Sequence, residues 1–78
     1  MTTLRVDIAA TGQNINRLRI KAGLTVKDMQ MIFGFTSPQA IYKWIHGYNL
    51  PTLDNLIVLS QILDTPMSEI VVVEGEAV

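Results

Sequence analysis

The sequence lacks the residues from which many enzymes and metal sites are built. It has no cysteine, and His46 is the only histidine among its 78 residues. Disulfides and cysteine–histidine zinc sites are therefore excluded, and no cluster of nucleophiles or ligands stands out. Asp54, Asp64 and Glu69 are spread over positions typical of a surface and form no catalytic constellation. We expect no enzymatic activity, no metal and no cofactor.

Long apolar runs are also missing. No run approaches the ~20 residues of a membrane-spanning helix, and the first twelve residues lack the apolar core of a secretory signal. A cytoplasmic protein without a membrane partner is the expectation, and nothing indicates a small-molecule ligand. The hydrophobic fraction of 49% is sufficient for a packed core. A chain of this length forms one domain whose stability depends on apolar packing.

Basic residues are missing from the last third of the chain. Residues 1–50 contain all six lysines and arginines and two acidic residues, whereas residues 51–78 contain five acidic residues and no basic one. The net charge of −1 does not favour nucleic-acid binding by itself, but this division does. We expect a basic end that faces phosphates and an acidic end that faces away. A scatter of solvated surface charges is the alternative.

The apolar spacing in the middle of the chain predicts five short helices. Apolar residues three, four or seven positions apart recur on one face of each predicted segment. The helices are predicted at residues 13–22, 25–33, 37–46, 52–63 and 67–70. Thr25 and Asp28 resemble a capping box at the start of the second helix. Thr11 and Gly12 are interpreted as the break before the first helix.

The same spacing predicts the residues of the core. Those on the inner faces are Ile15, Leu18, Ala22, Met29, Ile32, Phe33, Ile41, Trp44, Ile45, Leu53, Leu56, Ile57 and Leu63. Trp44 is a candidate platform on which bases could stack. Because it shares an apolar stripe with Ile41 and Ile45, we favour a place in the core.

Both ends of the chain show strand patterns. The segment TLRVDIA alternates apolar and polar residues, and a β-branched run, IVVV, follows the last predicted helix. We predict short terminal β-strands at residues 3–9 and 70–74. Frayed tails, pairing within one chain and pairing between two chains of a dimer are the alternatives. We favour pairing because both segments are apolar and an unpaired edge is unstable.

The segment from Gly34 to Pro51, GFTSPQAIYKWIHGYNLP, is the most informative part of the chain. It is typical of a tight turn, a short helix with a tyrosine and a lysine on its outer face, and a second turn. A helix-turn-helix protein presents one helix to the major groove of DNA in this arrangement.

With its flanking residues, this segment resembles the phage repressor and Cro-like helix-turn-helix family, also called the XRE family. The resemblance rests on GLT at 23–25, Gly34-Phe35, PQAIYKW at 38–44, Gly47, Leu50-Pro51, LDNL at 53–56 and Leu59. It implies an all-α, lambda-repressor-like fold, a compact bundle of about five short helices, here with short terminal strands. The expected parts are an N-terminal arm at 1–11, a helix-turn-helix domain at 12–71 and a C-terminal tail at 72–78.

The resemblance also implies a function. We expect a transcriptional regulator, a dimeric repressor, that binds double-stranded operator DNA with the helix predicted at 37–46. The residues expected to read bases are Pro38, Gln39, Ala40, Tyr42 and Lys43. The residues expected to contact phosphates are Arg17, Lys21, Lys27, Ser37, Tyr48 and Asn49. A homodimer is expected, and its two chains are one of the two ways in which the terminal strands would pair; pairing within one chain is the other.

Several of these residues have a second interpretation. Gln39 fits a capping box with Thr36, and this role is weighed equally with base contact. Tyr42 and Lys43 fit an ordinary solvated face, although the surrounding motif favours DNA contact. His46 is a candidate phosphate contact or pH-sensitive group, and we favour a polar helix end without a further role. The alternative function is a protein-interaction module, such as an antitoxin or adaptor, that would use the acidic half or the terminal strands.

Overall fold

Five helices form the body of the protein, which the computed structural model describes over residues 3–76. They are α1 (Ile8–Lys21), α2 (Val26–Phe33), α3 (Gln39–Ile45), α4 (Leu53–Ile62) and α5 (Met67–Ile70). Two short strands flank them, β1 (Arg5–Val6) and β2 (Val73–Glu74). The predicted fold class, an all-α bundle with short terminal strands, is confirmed. Within these residues, no helix has the length and hydropathy that a membrane span requires.

The first helix begins at Ile8, not at Gln13 as predicted. The carboxylate of Asp7 accepts a hydrogen bond from the Ala10 amide at 2.9 Å and caps α1. The predicted break at Thr11 and Gly12 is therefore wrong, because both residues lie inside α1. The strand β1 is also shorter than the predicted 3–9, since residues 8 and 9 belong to α1.

Thr11 and Gly12 are buried in α1 through contacts with distant parts of the chain. A Cβ on Gly12 would overlap the carbonyl oxygens of Trp44 and Ile45, so α1 and α3 approach more closely than an alanine allows. The hydroxyl of Thr11 accepts a hydrogen bond from the Val72 amide at 2.9 Å. These contacts join residues far apart in the sequence, so the local pattern does not reveal them and indicates a break instead.

The capping box predicted at the start of α2 is confirmed. The Thr25 amide donates to Oδ2 of Asp28 at 2.9 Å, and the Asp28 amide donates to Oγ1 of Thr25 at 2.9 Å. The backbone hydrogen bond from Thr25, followed by that of its side chain, holds the pKa of Asp28 below its usual range. Helix α2 therefore begins at the predicted place.

Eight apolar residues form the buried core between the helices. They are Ile15, Leu18, Met29, Ile41, Trp44, Leu59, Leu63 and Ile70. The spacing did not assign Leu59 or Ile70 to this core. Ala22, Ile32, Leu53 and Ile57 were assigned to it and are exposed. The spacing fails in α4 because apolar residues occur on both sides of that helix.

Three aromatic rings hold α2, the following turn and α3 together. Phe33 and Phe35 stack with ring centroids 5.2 Å apart, and Trp44 meets them edge-on at 5.3 and 5.9 Å. The side chain of Gln30 donates to the Phe35 carbonyl at 3.3 Å and ties the turn to α2. Trp44 is only 4% exposed, so its predicted place in the core is confirmed. One side of α3 is thereby fixed to the rest of the fold.

The terminal strands pair with each other within the chain. β1 and β2 are antiparallel, with Arg5 opposite Glu74, and Nε of Arg5 lies 2.7 Å from Oε1 of Glu74. Beyond the strands, the Thr3 amide donates to the Glu76 carbonyl at 2.8 Å. Of the alternatives for the termini, the structure shows the intrachain one. The second strand is shorter than the predicted 70–74, because Ile70 belongs to α5. Positions 1–2 and 77–78 of the predicted arm and tail lie outside the described residues.

Candidate nucleic-acid interface

The side of α3 that faces away from the core carries a row of exposed polar and aromatic residues. Gln39, Tyr42, Lys43 and His46 are exposed and recur at helical spacing, whereas Ile41 on the other side is fully buried. The helix is shorter than the predicted 37–46, because Ser37 and Pro38 precede its first residue and His46 is its C-cap. One side of α3 is thus anchored and the other is accessible.

The start of α3 leaves the side chain of Gln39 uncommitted. Pro38 occupies the N-cap position without a side-chain hydrogen bond, and the Ser37 hydroxyl lies 3.5 Å from the Gln39 amide nitrogen. Neither Thr36 nor any other described residue forms a hydrogen bond with the Gln39 side chain. The capping-box interpretation with Thr36 therefore has no support in the structure. The side-chain amide is available to a ligand.

A cleft of about 520 Å³ lies between α3 and the start of α4. The predicted site residues that line it are Ser37, Gln39, Ala40, Lys43 and Asn49. Thr52 and Asn55, which sequence reasoning did not assign to the site, line its other wall. The Thr52 hydroxyl accepts from the Asn55 amide at 3.2 Å and caps α4. Their proximity to α3 depends on the path of the α3–α4 loop, which the sequence pattern does not specify.

A smaller cleft of about 310 Å³ continues the first one along α3. Its lining residues are Gln39, Tyr42, Lys43, His46 and Tyr48. Because Gln39 and Lys43 line both clefts, the two form one continuous surface. We call it the α3 surface, and its members are Ser37, Gln39, Ala40, Tyr42, Lys43, His46, Tyr48, Asn49, Thr52 and Asn55. It gathers seven of the eleven predicted site residues.

The α3 surface combines one ammonium group with uncharged hydrogen-bonding groups. Lys43 supplies the charge, and no carboxylate is among the described residues that line the two clefts. Over residues 3–76 the only ion pair joins Arg5 to Glu74, so Lys43 has no acidic partner there. Such a surface suits a ligand that offers hydrogen-bond acceptors and negative charge.

Four predicted site residues lie outside the α3 surface. Pro38 adjoins it but lines neither cleft. Arg17 donates two hydrogen bonds to Oδ1 of Asn14, at 2.7 and 3.2 Å, on the side of α1 beside the C-terminal segment. Lys21 lines a separate cleft near the end of α4, and Lys27 is exposed on the first turn of α2. The phosphate contacts expected of these three cations stay predictions.

His46 lines the second cleft, although sequence reasoning favoured a helix end without a role over a phosphate contact. Its ring stacks on Tyr42 with centroids 5.8 Å apart and meets Tyr48 edge-on at 6.5 Å. A position seven residues after Gln39 and three after Lys43 falls on the same side of a helix, so the spacing could have identified it. The imidazole extends the accessible face to the end of α3.

A sharp reversal after α3 fixes where that helix ends. Gly47 has a φ of 75°, its amide donates to the Trp44 carbonyl at 3.1 Å, and the Tyr48 amide donates to the Lys43 carbonyl at 2.9 Å. A Cβ on Gly47 would lie 2.9 Å from the Cα of Ala9. The start of α1 therefore supports the reversal that directs Tyr48 back toward α3.

Comparison with known proteins adds one finding about the matched segment. A family model described as helix-turn-helix matches residues 15–70, which include the whole α3 surface. Neither the curated proteins nor the solved structures give a significant match.

Among the described residues, no group of three or more histidine, aspartate or glutamate side chains is arranged to hold a metal ion.

Proposed function

The chain belongs to the helix-turn-helix family of DNA-binding regulators, as the resemblance to XRE repressors predicted, and we propose that it is a dimeric repressor of transcription. It acts in the cytoplasm, binds a specific double-stranded operator and places α3 in the major groove. The α3 surface carries this proposal, because it is an anchored helix with accessible amide, hydroxyl and ammonium groups. Residues 12–71 are proposed as the DNA-binding unit.

The outward row of α3 supplies the base contacts. Gln39 lies on the first turn, where its side-chain amide pairs with N6 and N7 of an adenine. Lys43 lies one turn further along the same side and donates to O6 or N7 of a guanine. Tyr42 contacts a thymine methyl group, and the apolar Pro38 and Ala40 exclude water beside these contacts. A bidentate pair of Gln39 or Lys43 with its base contributes about 1–3 kcal/mol of discrimination against a wrong base.

Groups at the borders of the α3 surface supply the phosphate contacts. Ser37 precedes the helix, and Tyr48 and Asn49 follow it, so the two ends of α3 would meet the two walls of the groove. Arg17, Lys21 and Lys27 add contacts only where the duplex extends beyond α3. These contacts fix the register of the protein on DNA and make the affinity fall with salt.

The dimer contact is proposed on α4. Leu53 is 66% exposed and Ile57 is 47% exposed, one helical turn apart on the same side of α4. Exposed apolar side chains so grouped are typical of a contact surface. The terminal strands already pair with each other within one chain, so the proposed contact does not use them. A second copy on this side would set two α3 helices beside each other for the halves of an inverted repeat.

Selection from a pool of random DNA duplexes tests the proposed function. The purified protein is mixed with the pool at moderate salt, and the retained duplexes are sequenced. We expect enrichment of an inverted repeat whose half-sites are separated by about one helical turn, roughly 34–36 Å. Weak, salt-sensitive retention without enrichment would contradict it. That result would favour the protein-interaction module, and capture of partners with immobilised protein would be the next experiment.

A further inference from the structure

Three rings form a row at the end of the α3 surface. Tyr42 and His46 lie nearly parallel, with 19° between their planes and 5.8 Å between their centroids. His46 then meets Tyr48 at 81° and 6.5 Å. Both arrangements are among those that aromatic rings prefer. The imidazole is the central ring, and it is the one that contacts both tyrosines.

The backbone places this row with little freedom. His46 is the C-cap of α3, and the next two amides donate to carbonyls of the last turn, which fixes the backbone direction at Tyr48. The close approach of Gly47 to Ala9 leaves the reversal no room to shift toward α1. Tyr42 has no such support, because it is 44% exposed and its side chain makes no hydrogen bond within the described residues. Among the described residues, the one ring that stacks on Tyr42 is that of His46.

We infer that His46 is a positioning residue for DNA recognition, which holds Tyr42 in one orientation for base contact and Tyr48 in one orientation toward the backbone. The inference rests on the proposed function. A tyrosine that rotates freely must be ordered when DNA binds, whereas one already stacked is ordered beforehand. His46 thus improves affinity and sharpens the base preference at the position that Tyr42 reads. Its contribution comes from the ring and not from its charge.

Two variants of His46 separate ring stacking from other roles. His46→Ala removes the ring, and His46→Phe keeps a ring of similar size without its nitrogens. Ser68→Ala, an exposed position on α5 outside the α3 surface, is the control. The duplex enriched by the wild-type protein serves as the probe, and each variant is also taken through the random-duplex selection. Tyr42 ring signals are recorded by NMR for each protein without DNA.

The expected result for His46→Ala is a loss of affinity of about 3- to 10-fold and a relaxed preference at one base pair. Its Tyr42 ring signals should move, whereas His46→Phe and Ser68→Ala should retain the affinity and preference of the wild type. Unchanged Tyr42 signals, an unchanged preference in His46→Ala, or a His46→Phe variant as weak as His46→Ala would each overturn the inference. A wild-type protein that enriches no sequence would overturn the proposed function as well. The two failures are distinguishable, because the Tyr42 ring signals are measured without DNA and report the stacking whether or not the protein binds a specific duplex.

Discussion

Gln39 has an exposed side-chain amide on the first turn of α3 that no described residue engages. Gln39→Ala should therefore leave the free energy of unfolding within ~0.5 kcal/mol of the wild type. It should weaken operator binding by about 1–3 kcal/mol and remove the preference for adenine at one position. Urea unfolding and a repeated duplex selection measure the two effects. A loss of stability of about 1 kcal/mol or more with an unchanged preference would restore the capping interpretation.

Lys43 is the ammonium group of the α3 surface, and Lys21 is a comparable cation outside it. Lys43→Ala should weaken binding by about 1–3 kcal/mol and relax the preference at a single base pair. Lys21→Ala removes the same charge, but on duplexes long enough to extend beyond α3 it should weaken preferred and altered sequences equally, as loss of a phosphate contact does. Salt titrations on preferred and altered duplexes distinguish the two. If the two variants behaved alike, Lys43 would not be a base-reading residue.

The reversal after α3 gives a matched test at the scale of the element. Gly23 and Gly47 have nearly the same backbone conformation, with φ of 74° and 75°. A Cβ at Gly23 meets nothing within 4 Å, whereas one at Gly47 lies 2.9 Å from the Cα of Ala9. Gly23→Ala should cost about 1–2 kcal/mol of stability from conformation alone. Gly47→Ala should cost about 1–3 kcal/mol more from the clash. Equal urea midpoints would show that α1 does not support the end of α3.

The capping box of α2 gives the fold an acid dependence. Because hydrogen bonds from Thr25 lower the pKa of Asp28 in the folded state, the carboxylate favours folding above the unfolded pKa of about 3.9. This stability is lost as the pH falls through the folded pKa. Asp28→Asn should therefore lose less stability than the wild type between about pH 7 and about pH 3. Urea unfolding at both pH values measures this, and equal losses would contradict the role of Asp28.

Helix ends were predictable from sequence where a side chain caps the backbone locally. Thr25 and Thr52 mark the starts of α2 and α4 because the cap and its partner lie within three residues. The start of α1 was missed although Asp7 caps it in the same way. The alternating segment before it and the apparent break at Gly12 were the stronger local signals. That glycine serves a contact between helices, which a local pattern does not reveal.

The division of charge along the chain illustrates the limit of sequence reasoning at the scale of the whole molecule. The basic and acidic parts were expected at opposite ends, yet the pairing of β1 with β2 brings Arg5 against Glu74. Arg17 bonds to Asn14, away from the α3 surface. The gathering of Gln39 and Lys43 was predictable, since helical spacing alone places them on one side. The far wall of the cleft was not, because it depends on how α4 packs.

The dimer gives a prediction at the scale of the assembly. Leu53→Lys places a charge in the middle of the exposed apolar side of α4, so it should shift the protein to the monomer. It should also abolish the preference for two half-sites while leaving binding to one half-site unchanged. Met31→Lys, at a residue of α2 that is 70% exposed, is the control. Sedimentation equilibrium measures the association. A wild-type protein that remains monomeric on the duplex would contradict the proposed dimer.

NMR of isotope-labelled protein during titration with a DNA duplex tests most directly whether the α3 surface is the DNA-binding surface. We expect the largest changes in amide and side-chain signals at residues 37–49, with smaller ones at Thr52 and Asn55. The changes should diminish as salt is raised. Changes concentrated on the exposed side of α4 or on the β1–β2 ribbon, or none at all, would show that the α3 surface does not bind DNA.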